Sequence, residues 1–518
     1  MAREKKEKEV KPTLTKEEKQ KIKRLETIKA NIEEATERVN TLLNKYTDSC
    51  IIIQDEKELS DYIDTAIKNG EISIDTETTG LNTFRDKIVG ICIYTYGKSE
   101  AYIPVNHVNY ETEERINTQL NIDVVAKYLN KLKNTRVIMH NSDFDIRMLR
   151  RIGVNLSCYW DTLIMAHLLN ENEEHGLKKL HSKYILKGKE DEFSFGKLFS
   201  FKDITFADIP INIAAIYAAH DAKITQELKD FQYGVMQIPR DDIQAIYKLF
   251  REIEMPCLEA IIDMEETGFA FNIEYHKIIA EKYHTLLNDE EKKLYDKLDE
   301  YSDIITEWRN SEEANAKEQK KNKDGTLKFN AKGEPEYAKS KNEQLTDPIT
   351  LSSPTQLAIL LYDILKIDPP LPETPRSTGE EALQAINNDF TKMLLNYRHF
   401  SKMVDAFVDA LPKQLEADNR IHCSLNQLGA KTGRMSCSDP NLQQIPSDSD
   451  DIRRFFMAPV NYREVESENI FRFKDTEEIE VEPDNWIFVK NLKIGDKIQD
   501  SIITNIHKEN NYIIIEIR

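Results

Sequence analysis

The sequence is poor in the features that would stabilise a secreted or membrane protein. Its six cysteines (Cys50, Cys92, Cys158, Cys257, Cys423 and Cys437) are scattered, with no C-x-x-C pair. That spacing suits reduced thiols in a cytosol-like compartment better than a disulfide framework or a zinc ribbon. No apolar run approaches the roughly 20 residues that span a bilayer, so no membrane partner is expected. A charged stretch follows Met1 where a secretory signal would need an apolar core. No internal repeat of solenoid length is present. Positive charge is also short: Lys and Arg total 71 against 91 Asp and Glu, a formal net charge of −20. This excludes a protein that coats nucleic acid through a basic surface, though not a local basic groove.

What is present is a long, ordinary globular composition, 40% hydrophobic and 31% charged over 518 residues. At roughly 150 residues per domain, three or four domains are expected. Residues 1–48 are charged and helical in pattern. The first 30 hold 11 basic and 6 acidic side chains, which reads either as a solvated helix or tail or as a basic arm for phosphates. Residues 49–232 have an α/β texture, with strand-like runs at Ile72–Ile74, Ile88–Tyr94 and Val137–Met139 between helical patterns such as Asp161–Leu169 and Ile213–Leu228. Residues 233–420 are helical; the helix from Glu254 stops at Thr267-Gly268. Within them, 309–346 lacks apolar periodicity and reads as a flexible, lysine-rich insertion. A further segment, 421–462, precedes the β-prone runs of 463–518, which read as a small β module.

The chemistry concentrates in the α/β part. Ile72–Ile74 leads into Asp75-Thr76-Glu77. Residues two apart on a strand face the same side, so Asp75 and Glu77 can aim both carboxylates at one spot. Crowded hard oxygen ligands suit Mg²⁺ or Mn²⁺, whose charge relieves their repulsion. Alone, a D-x-E at a strand end is often just a turn. Here a second strand, Val137–Met139, leads into Asn141-Ser142-Asp143-Phe144-Asp145. A later helix carries Tyr217 and Asp221 at i and i+4, on one face.

Together D-x-E at 75–77, N-x-x-F-D at 141–145 and Y-x-x-x-D at 217–221 resemble the motifs of the 3′→5′ exonucleases with a DEDD carboxylate set, tyrosine subclass. The resemblance implies a ribonuclease H-like fold and a two-metal site of Mg²⁺ or Mn²⁺ held by Asp75, Glu77, Asp145 and Asp221. It further implies that Tyr217, helped by Glu77, orients the attacking water and that Leu81 packs against the terminal base of a frayed strand. His140 and His220 are read as structural residues.

The following region resembles family A DNA polymerases of the bacterial DNA polymerase I type, phage members included. The residues that carry the resemblance are Glu254 to Gly268, Ser353-Pro354-Thr355-Gln356-Leu357, Ser377 to Glu381, Tyr397-Arg398 with Lys402, and the dense block from Arg420 to Pro446. In such enzymes phosphates supply affinity while a few side chains probe the minor groove. The resemblance implies that Arg398 and Lys402 hold backbone phosphates. Thr432, Arg434, Asn441 and Gln443 would contact the duplex near the primer terminus.

The resemblance breaks near residue 462. No D-[YF]-S-Q or H-D-E strand follows, so polymerisation is not expected from this chain alone. The expected architecture is a ribonuclease H-like exonuclease domain, a helical thumb, a partial palm (421–462) and a small β-rich module. Its partners would be a single-stranded 3′ end, a primer–template duplex and, as one alternative, a second chain carrying palm and fingers. The other alternative is a non-catalytic DNA-binding fragment. The expected location is the cytoplasm of a bacterial or phage-infected cell. Asn491–Ile498 is similar to the L-K-x-G-D turn of self-splicing (Hint) modules, but no Cys or Ser nucleophile opens this segment. The Tyr512–Ile517 strand would present an apolar edge if it lacked a neighbour.

Overall fold

Asp55 and Gly70 bracket the helix that delivers the chain to its central strand. The Asp55 carboxylate accepts from the Lys57 and Glu58 amides at 2.9 and 3.2 Å, and Gly70 closes the helix at φ +71°. These elements belong to a computed structural model that describes residues 15–46, 50–189 and 205–456, except 324, 331, 431 and 448, and the backbone of strands between 463 and 517. The chain divides into two compact units, residues 1–268 with 423–438, and 269–422 with 439–518.

The first unit is built on a six-stranded sheet. Its strands are β1 (Cys50–Ile52), β2 (Glu71–Thr78), β3 (Ile88–Tyr94), β4 (Glu100–Pro104), β5 (Arg136–Met139) and β6 (Cys158–Asp161), in the spatial order β1-β4-β3-β2-β5-β6. The pairs β2–β3 and β3–β4 are antiparallel; β2–β5, β5–β6 and β1–β4 are parallel. The helices are α1 (Lys16–Tyr46), α2 (Glu56–Asn69), α3 (Ile122–Leu129), α4 (Ser142–Arg151), α5 (Thr162–Leu169), α6 (Leu177–Tyr184) and α7 (Ile211–Met236).

Strand alternation splits β2 between two cores. Ile72 and Ile74 join Ile91, Ile93 and the Ile146, Met148 and Leu149 side chains of α4 on one side of the sheet. On the other side, Cys92 and Tyr102 pack against the buried alanines 214, 215, 218, 219 and 222 of α7. Alanine brings the α7 backbone close enough for Ser73 Oγ to donate to the Ala222 carbonyl at 2.5 Å.

The helices at Asp241–Leu249 and Met255–Thr267 pack on this unit rather than away from it. Ile243, Phe250, Met255, Leu258 and Ile262 share the core of Trp160, whose ring lies 4.8 Å from that of Phe250. The chain leaves the unit at Gly268, φ +60°.

In the second unit, the long helix Ile273–Glu300 runs beside Asp389–Met403, with Tyr283, Phe407, Val408 and Phe455 in a common core. The lysine-rich segment carries backbone pairing between its described residues. Bridges join Gln319 to Tyr337, Lys321 to Leu327 and Phe329 to Pro335, and Lys328 pairs with Glu336 at 3.0 Å.

The described part of 463–518 consists of strands, among them Ile470–Lys474, Glu478–Glu482, Asn485–Phe488, Ser501–Glu509 and Tyr512–Ile517. Tyr512–Ile517 is an interior strand, between Ile470–Lys474 and Ser501–Glu509 in a five-stranded sheet. Its backbone groups therefore have partners on both sides within this chain, which corrects the concern over an exposed edge. Asn491–Asp496, the body of the Hint-like turn, lies outside the described residues.

Candidate active site

Asp75 and Glu77 sit two apart near the end of β2 and project from the α7 side of the sheet. Their antiparallel partners on β3 are Cys92 and Gly90. Oxygen ligands from both carboxylates and the Cys92 sulfur lie within 4.8 Å of one another. Gly90 makes the close packing here feasible: a Cβ at this position would stand 2.0 Å from the Tyr102 hydroxyl. Burial pushes the Cys92 thiol well above its usual range, which keeps its sulfur protonated and leaves the carboxylates as the anionic donors.

Asp145 approaches the same strand from the opposite face of the sheet. Asp161, at the end of β6, accepts from the Ser142 amide and hydroxyl, both at 2.7 Å, and caps α5 through the Leu163 amide at 2.8 Å. This fixes the N-terminus of α4, with Asn141 held at φ +62°. One turn on, Asp145 Oδ1 accepts from the amide of Thr76, at 2.9 Å, and from its hydroxyl.

Tyr217 and Asp221 come one turn apart from α7, with Asp221 buried. Asp221 is ion-paired with Lys178 of α6, and the Lys178 ammonium stands 5.0 Å from the centre of the Tyr217 ring.

Crowding is visible in the electrostatics. Burial raises Asp75 to about 6, with Lys178 opposing the rise. Glu77 is pushed well up by burial and then by the charges of Asp75 and Asp145, against Lys178. Asp145 is also raised, by burial and then Asp75, while its two bonds from Thr76 hold it down. Carboxylates that repel one another across a shared space are a donor set short of positive charge. All are hard oxygen donors, and they fit a hard divalent cation.

Leu81, four residues beyond Glu77, is 88% exposed, unusual for so large an apolar side chain. His140 Nδ1 lies 2.8 Å from the Thr162 hydroxyl, and His220 stands 3.7 Å from Glu100 and edge-on to His181. Neither histidine reaches the carboxylates through these contacts.

In the second unit, Arg398 and Lys402 line an open cavity of about 650 Å³ with Pro354, Arg376, Thr378 and Gly379. This gathers three separate sequence landmarks at one place. Arg376 is engaged by Asp363 at 2.6 Å; Arg398 donates to the Thr378 carbonyl, and Lys402 is exposed. Asn441, also exposed, accepts from the Gln443 amide at 3.1 Å. Thr432 and Arg434 are exposed in the connection between the paired strands Ser424–Asn426 and Ser436–Ser438 of the first unit.

Residues 50–231 match the family model of the 3′-5′ exonuclease, and residues 323–470 match DNA polymerase family A. The chain carries a 3′-5′ exonuclease domain and, after it, a segment of the DNA polymerase family A domain.

DNA polymerase I of Chloroflexus aurantiacus is 27% identical over 427 residues, covering 80% of this chain and 39% of that protein. DNA polymerase of Bacillus phage SP01 is 25% identical over 463 residues, 82% of this chain and 48% of that one. The chain thus spans under half the length of these relatives. Among solved structures, the POL domain of Pol1 from M. smegmatis, in complex with DNA primer-template and dNTP, superposes with a TM-score of 0.55. That match covers 82% of this chain and 60% of the other at 18% identity, a likeness of fold. Among the described residues, no helix is long and apolar enough to cross a membrane.

Three residues around these carboxylates carry no motif in the sequence analysis: Thr76, Lys178 and Cys92. Thr76 lies inside the D-x-E motif and was the readable one. Lys178 and Cys92 owe their places to helix packing and strand register, for which one sequence carries no local signal.

Proposed function

We propose that this chain removes 3′-terminal nucleotides from single-stranded or frayed DNA by metal-dependent hydrolysis, the proofreading reaction. The observation that carries the reading is the pairing of the Asp75 and Glu77 carboxylates on β2, with Asp145 of a second motif bonded to the residue between them. Asp75, Glu77, Asp145 and Asp221 would hold Mg²⁺ or Mn²⁺. The bound cations would supply the positive charge that phosphodiester hydrolysis needs at the attacked phosphate and the leaving oxygen. Tyr217, with Glu77, orients the attacking water, and the exposed Leu81 packs against the terminal base.

On the polymerase side, Arg398 and Lys402 hold backbone phosphates of the duplex. Thr432, Arg434, Asn441 and Gln443 contact it near the primer terminus. Nucleotide addition needs palm aspartates, and the sequence motifs that carry them are not among these 518 residues. A second chain bearing palm and fingers is one source. The working compartment would be the cytoplasm of a bacterial or phage-infected cell.

The test is nucleotide release from a single-stranded oligonucleotide with Mg²⁺ or Mn²⁺. Chelation, or Asp75→Ala with Glu77→Ala, should abolish it. Full activity in either condition contradicts the proposal. DNA binding without hydrolysis under both metals would instead favour a non-catalytic DNA-binding protein.

A further inference from the structure

Lys178 belongs to none of the motifs that define the carboxylate site, yet it contacts both of the residues that α7 brings to it. It enters from α6, ion-paired with Asp221 and over the Tyr217 ring at 5.0 Å. The side chain as a whole is 21% exposed while its ammonium is buried, so the exposed part is the stem and the charge lies inward beside Asp221.

We infer that Lys178 is the built-in counter-ion of the exonuclease site: its ammonium neutralises the carboxylates when no divalent cation is bound and must give way when one binds. The inference rests on reading this cluster as a divalent-cation site.

Two arguments support the exchange. Buried carboxylates at this separation repel one another strongly, and a single cation among them removes much of that cost. An ammonium paired with Asp221 also occupies an oxygen that a divalent cation would use, so the two charges compete. Lysine suits a replaceable occupant: its charge is compact and its four-carbon stem flexible, whereas a guanidinium fork would be harder to dislodge. Cation binding is then an exchange of one cation for another, and its affinity is set below what the bare carboxylates would give.

The experiment is calorimetric titration of Mn²⁺ into the full chain at pH 8 without DNA, for wild type, Lys178→Met and Lys178→Gln. Thermal unfolding with chelator and with saturating Mn²⁺ runs in parallel. Both variants should bind Mn²⁺ about fivefold or more tightly than wild type, the lower end of ordinary coupling between sites. They should melt below wild type with chelator and recover with Mn²⁺. Lys178→Arg, which keeps the charge, should not gain affinity. Unchanged or weaker Mn²⁺ binding in whichever neutral variant folds overturns the inference and leaves the exonuclease reading standing. Wild type that binds no Mn²⁺ sensitive to Asp75→Ala with Glu77→Ala overturns both.

Discussion

The amide of Thr76 donates to Asp145 Oδ1 at 2.9 Å, and the Thr76 hydroxyl donates to the same oxygen. The residue between two of the carboxylates is thereby the anchor of the third. Thr76→Val keeps the shape and the amide bond but removes the hydroxyl donor from a buried carboxylate. It should lower stability by about 1–3 kcal/mol and reduce the rate of nucleotide release. Chemical denaturation and a single-turnover assay on one oligonucleotide read both effects.

Tyr217→Phe isolates the hydroxyl, because the ring and its neighbour Lys178 are retained. If the hydroxyl orients the attacking water, hydrolysis should slow by on the order of 10²-fold. Binding of the same strand in the presence of Ca²⁺ should be unchanged. Single-turnover rate and equilibrium binding separate the two.

A pH dependence comes from His107, away from the carboxylates. The ring is fully buried, with Nε2 2.7 Å from the Tyr102 hydroxyl and Nδ1 2.9 Å from the Ile209 carbonyl. Burial lowers it from the usual 6.5 to about 4. Between these values the unfolded chain binds a proton that the folded one refuses, so stability is full above about 6.5 and falls as pH drops toward 4. The loss is of the order of 3 kcal/mol. Urea unfolding from pH 7 to 4.5 should show a flatter profile for His107→Gln than for wild type.

Lys402 offers the plainest test of the polymerase-side cavity, since it is exposed and lines the space beside Arg398. Lys402→Ala should weaken duplex binding across sequences and reduce the slope of log K against log salt by about one. Arg398→Ala should do the same, with added loss of its bond to the Thr378 carbonyl.

Legibility followed sequence distance. β3 coincides with the expected Ile88–Tyr94 run, because a buried strand announces itself in consecutive residues. The carboxylates were readable for the same reason: each lies in a short pattern tied to one element. Lys178 was not, since nothing in Leu177–Tyr184 distinguishes a lysine facing Asp221 from one facing water. Tyr512–Ile517 showed its strand character but not its place, because its partner Ile470–Lys474 lies far back along the chain. Residues 309–346 showed no apolar rhythm; their bridges are accompanied by lysine–glutamate pairs such as Lys328 with Glu336, which periodicity does not detect.

The most direct measurement follows a 5′-labelled single-stranded oligonucleotide with Mg²⁺ or Mn²⁺, resolved to single nucleotides, for wild type and for Asp75→Ala with Glu77→Ala. Wild type should shorten the strand stepwise from its 3′ end, and the double variant should leave it intact. Internal cleavage, degradation from the 5′ end, or an undiminished ladder from the double variant would contradict the account.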